Sequence, residues 1–200
     1  MSRPKVYDEN LRVALLDAAG SVITAEGYAA LSLRRLAADV GTSTTAVYAL
    51  FGGKPGLMAE LYREAFRRFG EHLRDVEPSA DPIHDIARLG VAYRASALDD
   101  PHLYQIMFGA RPTGFVPDED SAVDAAATFA PLLDAVTRAV EAGNLRREDP
   151  AVIATALWAG LHGLISFELG DFMPPQAGDP GAAFVALGVA MVDTWRLPGS

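Results

Sequence analysis

The stretch Gly41 to Lys54, GTSTTAVYALFGGK, gathers the side chains best suited to recognition chemistry. Ser43, Thr44 and Thr45 stand together, Tyr48 follows one turn later, and Lys54 comes after a Gly-Gly pair. Thr42 to Phe51 carries no charge, in a chain whose net charge is −9. A core helix would want more aliphatic bulk, and a surface helix of an acidic protein would carry carboxylates. Small hydroxyl residues permit close approach, hydrogen-bond bases or phosphates, and in threonine offer a methyl to thymine. Lys54 adds an ammonium beside the free backbone N–H groups of a helix start, a pairing suited to phosphate. The chemistry that fits is readout of double-stranded DNA.

Such a tip needs helices to present it. Leu11, Leu15, Ala18, Ala19, Val22 and Ile23 recur at helical spacing and predict a first helix closed by Glu26-Gly27. Ser32 is a good N-cap for LRRLAADV, which Gly41 ends, and Ser43 or Thr44 can cap TTAVYALF, which Gly52-Gly53 ends. Helices over 33–40 and 44–50, with Gly41-Thr42 between them, have the proportions of a helix-turn-helix. The second helix of such a unit lies in the major groove with its N-terminal residues toward base edges. Lys54-Pro55 then opens a longer helix, with proline tolerated in the first turn and Leu57, Leu61, Ala65, Phe66 and Phe69 as its apolar stripe to about Val76.

Glu77 to Pro82 is rich in turn formers and marks the clearest boundary. Beyond it the pattern predicts helices at about 83–98, 101–108, 118–142, 149–169 and 181–195, with a loop over 109–117 and no convincing strand. The fold class is therefore all-α. The expected division is a helix-turn-helix DNA-binding domain over 1–53, a connecting helix over 54–77, and a C-terminal helical bundle over 78–200.

Charge is unevenly spread. Residues 1–68 hold nine Lys/Arg and seven Asp/Glu, net +2, and the remainder holds eight and nineteen, net −11. This favours an anionic partner for the N-terminal region alone. The chain has no cysteine, which removes disulfides and thiolate chemistry and suits a reducing cytoplasm. MSRPKVYDENLR is polar and does not read as a signal peptide, and no uninterrupted apolar run reaches membrane-spanning length, so no membrane partner is expected. His72, His84 and His102 lack ligand spacing, so neither metal nor cofactor is expected.

From Leu31 to Tyr62, LSLRRLAADVGTSTTAVYALFGGKPGLMAELY resembles the DNA-binding region of the tetracycline-repressor-like (TetR) transcriptional regulators. The likeness rests on an L-x-x-L-A helix, the G-x-S turn, an aliphatic-Tyr-x-x-Phe segment and a lysine three residues after that phenylalanine, and it covers about residues 8–68. It implies that Ser32 caps the first helix and touches a phosphate, and that Arg34 contacts DNA, with Arg35 a lesser candidate. It further implies that Ser43, Thr44 and Thr45 face the groove, that the Tyr48 hydroxyl contacts the backbone, and that Lys54 binds a phosphate. Ala46 and Leu50 depart from the family's usual hydroxyl and His or Tyr, and Ala49 is too small to read a base. Taken singly, Tyr48 could be a packing residue, Ser32 and Ser43 plain caps, and Lys54 a solvated lysine; their joint spacing favours DNA.

In the second part, LWAGLHGLISFELG resembles the W-x-x-x-H-G segment of one C-terminal domain type found with such DNA-binding regions. Trp158 and His162 on neighbouring turns could line a cavity completed by Tyr93, Tyr104, Met107, Phe108, Phe115 and Phe129, an apolar set with few polar groups. The competing reading is ordinary core. The last two long helices are apolar over broad faces, including Val152, Gly163, Phe167, Phe184 and Met191. They fit a two-fold four-helix interface of a homodimer, or else a buried pair within one chain. The resemblance implies a cytoplasmic repressor released from a palindromic operator by a small-molecule effector. A small helical enzyme using His162 as base, or an acidic protein-interaction module, are the rivals; no nucleophile–base pair or phosphate-binding glycine loop supports the enzyme.

Overall fold

The computed structural model describes residues 9–109 and 115–197. The leading segment MSRPKVYD and the centre of the predicted 109–117 loop therefore lie outside the described residues. The fold is all-α. Its helices are α1 (Glu9–Glu26), α2 (Leu33–Asp39), α3 (Thr44–Phe51), α4 (Lys54–Arg74), α5 (Pro82–Asp99), α6 (Pro101–Phe108), α7 (Glu119–Glu141), α8 (Pro150–Leu169) and α9 (Pro180–Trp195). Tyr28–Ala30 and Pro175–Ala177 are short 3-10 turns.

Three helix starts in the second half follow one rule. Asp100, Asp149 and Asp179 cap α6, α8 and α9, accepting from the backbone N–H of Leu103, Ala151 and Ala182, and a proline stands next in each case. A first-turn proline loses no hydrogen bond, because its N–H would be unpaired there anyway. This moves α5 and α9 one residue earlier than the spacing predicts, to Pro82 and Pro180.

The chain divides into two compact units, Met1–Arg68 with Asp100–Ala125, and Phe69–Asp99 with Ala126–Ser200. These bounds differ from the expected breaks near residues 53 and 77, because α6 packs on α1. A Cβ added at Gly20 of α1 would meet Leu61 of α4 at 3.7 Å and Leu103 of α6 at 3.9 Å. Three helices thus meet around Gly20, where even a Cβ would make ordinary van der Waals contacts.

Also in the first unit, Glu64 of α4 is fully buried among arginines. Arg67 Nη2 and Arg68 Nε each lie 2.7 Å from its carboxylate, and Arg12 of α1 is at 3.7 Å. Burial pushes this carboxyl up, but the hydrogen bonds and charges of Arg67 and Arg68 outweigh it and hold the group at about 2. Arg12 also pairs with Glu60 at 2.7 Å and Arg68 with Asp17 at 2.8 Å, tying α1 to α4.

In the second unit α5 packs against α8 and α9, which pack on each other. At the α8–α9 crossing, the end of the Met191 side chain lies over Gly160, where a Cβ would fall 2.5 Å from its Sδ and oblige that side chain to shift. Phe184, on a face that fitted either a dimer interface or a buried pair, is buried, with the Arg94 guanidinium over its ring. Asp85 is buried as well, accepting from Ser79 N at 2.8 Å and Arg138 Nη2 at 3.0 Å. By length and composition α8 is the one described helix apolar enough to cross a membrane. Its Glu168 is paired with Arg94, and Ile153, Leu157 and Ile165 are buried within the unit, as suits a bundle helix.

Candidate functional site

Local structure makes α3 a rigid presenter. Gly41 turns the chain at φ 73, and Ser43 then caps the helix, its hydroxyl accepting from Ala46 N at 3.2 Å. Gly52, at φ 69, closes the other end in the left-handed conformation that glycine adopts without strain. One face, Ala46, Val47 and Phe51, is buried in the unit. The other carries Thr45, Ala49 and Tyr48, all exposed, with Tyr48 at 55%. Thr44 is half-buried at the first turn. The tip is therefore uncharged, hydroxyl-bearing and solvent-facing.

The flanking cations differ. Ser32 caps α2, accepting from Arg35 N at 3.4 Å. Arg34, beside it, is exposed with no ion pair among the described residues. Arg35 is committed: its two terminal nitrogens donate to the Glu26 carboxylate at 3.0 Å each, and Asp39 lies 3.8 Å away. That fork holds the Glu26 carboxyl below its usual range. Arg34 is thus the free guanidinium of the pair.

Lys54 is half-buried at the start of α4. Its Nζ donates to Ala29 O at 3.4 Å and lies 4.3 Å from the centroid of the Tyr28 ring. Two residues in this junction escaped the sequence reading. Tyr28 signalled itself only as an aromatic directly after a helix-ending glycine. Gly56 gave no signal: a Cβ there would stand 1.9 Å from the Phe51 carbonyl oxygen, so the α3–α4 junction requires glycine.

The eight residues expected to line an effector cavity fall into both units. Tyr93, Phe129, Trp158 and His162 come together in the second. Trp158 Nε1 donates to the Tyr93 hydroxyl at 3.3 Å, and that hydroxyl is 3.1 Å from His162 Nδ1. A phenol that accepts from the indole keeps its own proton for the imidazole. Burial lowers the His162 pKa, favouring the neutral ring that this arrangement needs. Phe129 meets Trp158 edge-on at 6.1 Å between centroids. The other four belong to the first unit. Tyr104 and Met107 are buried there, Phe108 stacks near Tyr104 and Phe66 at 5.0 and 6.0 Å, and Phe115 meets Tyr62 at 5.7 Å.

This geometry has counterparts among known proteins. Residues 15–61 match a family model described as bacterial regulatory proteins, tetR family, and residues 86–192 match one described as tetracyclin repressor-like, C-terminal domain. The chain is similar to the HTH-type transcriptional regulator Rv1816 of Mycobacterium tuberculosis, at 23% identity with 89% of each chain covered. Among solved structures, the regulatory-protein candidate SCO4313 is 30% identical, with 96% of this chain and all of that one covered and a TM-score of 0.78. SmeT, solved as a complex with triclosan, is 22% identical over 95% of this chain and 93% of that one, with a TM-score of 0.69.

Proposed function

Because this chain belongs to the TetR family of bacterial transcriptional regulators and carries their helix-turn-helix DNA-binding region, we propose that it is a repressor released from a palindromic operator by a small-molecule effector. The observation that carries the DNA half is the α3 tip. Thr45 and Tyr48 are exposed on a helix whose opposite face is buried, and no charge interrupts them in a strongly acidic chain. Ser43, Thr44 and Thr45 reach base edges, the Tyr48 hydroxyl and Ser32 meet the backbone, and Arg34 and Lys54 neutralise phosphates.

Residues 1–53 act as the reading head, 54–77 as the link and 78–200 as the effector and dimer part. One α3 is too short and too sparsely polar to specify an operator. Two heads related by a two-fold axis read half-sites about 34–36 Å apart, or a multiple of that. The second copy is supplied through α8 and α9. The outward face of α9 is Ala182, Val185, Ala186, Val189 and Ala190, with the two valines 60% and 56% exposed, and α8 adds Val152 and Phe167. A continuous apolar stripe of small residues on paired helices fits close packing against its own copy.

Tyr93, Trp158, His162 and Phe129 offer aromatic walls with two polar groups to an effector that is mostly apolar, and the similar SmeT is solved as a complex with a small molecule, triclosan. α4 runs unbroken from Lys54 to Arg74, so a shift imposed on its far end reaches the head. The effector must favour the spacing that DNA does not, and DNA must weaken the effector by the same factor. The test is a mobility shift on the protein's own promoter fragment, repeated with candidate apolar effectors. Release by one of them supports the proposal; operator and effector affinities that ignore each other would end it.

A further inference from the structure

Lys54 stands where a helix least favours a cation. It opens α4, and the positive end of the helix dipole destabilises an ammonium there. No acidic residue in the first turn of α4 offsets it. What faces the charge is the 3-10 turn Tyr28–Ala30: the ring of Tyr28, 4.3 Å from Nζ to its centroid, and the carbonyl oxygen of Ala29, 3.4 Å from Nζ. The turn sits there because Gly27, at φ 85, reverses the chain directly after α1.

We propose that Tyr28 is a positioning residue for DNA binding, its ring face holding the Lys54 ammonium in place before DNA arrives. The inference rests on Lys54 being a phosphate contact. A lysine side chain loses much rotamer freedom when it is fixed, so a stem already pinned binds phosphate with less ordering left to do. The ring attracts the ammonium through its quadrupole, which an aliphatic side chain of similar bulk does not possess. An ammonium has three N–H donors; the Ala29 carbonyl takes one and the ring faces another, which leaves a donor for an incoming phosphate. The phenol oxygen has no part in this, so phenylalanine should serve as well.

The test compares the full-length chain with Tyr28→Phe, Tyr28→Leu, Lys54→Met and the Tyr28→Leu/Lys54→Met pair. Each binds a duplex carrying the protein's own promoter over a range of salt, with thermal unfolding followed in parallel. Lys54→Met is expected to weaken binding and lower the log-log salt slope by about one unit. Tyr28→Leu should weaken binding by about two- to fivefold, Tyr28→Phe by less than about twofold, and the double variant should be no weaker than Lys54→Met alone. Should Tyr28→Leu unfold, Tyr28→Met removes the ring while keeping the bulk. Additive losses in the double variant overturn the role of Tyr28 and leave the Lys54 contact standing. An unchanged salt slope in Lys54→Met removes that contact and the positioning with it. A Tyr28→Phe as weak as Tyr28→Leu assigns the effect to the hydroxyl and overturns the proposal.

Discussion

Gly56 of α4 lies against the carbonyl oxygen of Phe51, the last residue of α3, so closely that a Cβ at position 56 would be 1.9 Å from that oxygen. Backbone, not a flexible side chain, occupies the space. Gly56→Ala must therefore part α3 from α4, and alanine's better helix propensity, worth about 1 kcal/mol, cannot offset a clash of this kind. The expected outcome is a loss of roughly 2 kcal/mol or more, read as a thermal midpoint several degrees lower. Duplex affinity should fall with it, since α3 is displaced. An unchanged melting curve would contradict the described junction.

Glu64 makes a second prediction, about acid. Its folded pKa of about 2 is depressed below the ordinary 4.5, so its contribution to stability is complete above 4.5 and is lost as pH falls from 4.5 toward 2. That contribution is on the order of 3 kcal/mol. Glu64→Gln should flatten this part of the stability profile. It should also destabilise the chain at neutral pH by a few kcal/mol, roughly 3, because Arg12, Arg67 and Arg68 then face one another without the carboxylate. Denaturant unfolding at stepped pH measures both effects.

Much of the fold could be read from local signals, and what was missed is non-local. The Ser32 and Ser43 caps, the glycines at 41 and 52 and the bounds of α3 and α6 depend on neighbours within a turn, and each is where its own chemistry places it. The packing of α6 on α1 brings Gly20 beside Leu103, far apart along the chain. Periodicity reports that a residue is apolar on one face; it does not say which helix covers that face. The same limit left Phe184 open between a dimer face and a buried pair, and its ring is in fact buried beneath Arg94; nor did it tell that Phe108 meets Phe66 of α4. Arg35 was the lesser candidate beside Arg34, and the physical reason, its pairing with Glu26 and Asp39, is one the sequence did not display.

The outward stripe of α9 gives a prediction about assembly. Val189→Asp places a carboxylate among Val185, Ala186 and Ala190, all exposed, so the fold of one chain should be undisturbed. Between two chains the same charge would be buried without a partner, weakening the dimer by about tenfold or more in dissociation constant. Sedimentation at several concentrations measures it. A mass identical to that of the unaltered protein would show that this face is not the interface.

Tyr93 and His162 give a prediction about pH in the second unit. Burial lowers the His162 pKa below 6.5, so the folded chain binds fewer protons than the unfolded chain just below that pH, and stability should decline as pH falls below 6.5. His162→Gln should lessen the decline. Tyr93→Phe removes the oxygen shared by Trp158 and His162 and should cost about 1–3 kcal/mol. If Tyr93→Phe also alters effector affinity without moving duplex affinity in the absence of effector, the cluster belongs to the effector site.

Whether the α3 tip reads base edges is tested most directly by the affinities of the unaltered protein and Thr45→Ala for promoter duplexes changed one base pair at a time. Thr45 is exposed and its removal leaves the buried Ala46, Val47 and Phe51 face intact, so stability should hold. The account predicts that Thr45→Ala relaxes discrimination at one or two symmetric positions, by about 1–3 kcal/mol at each, and leaves the others alone. Equal weakening on every duplex, or no change on any, would contradict it.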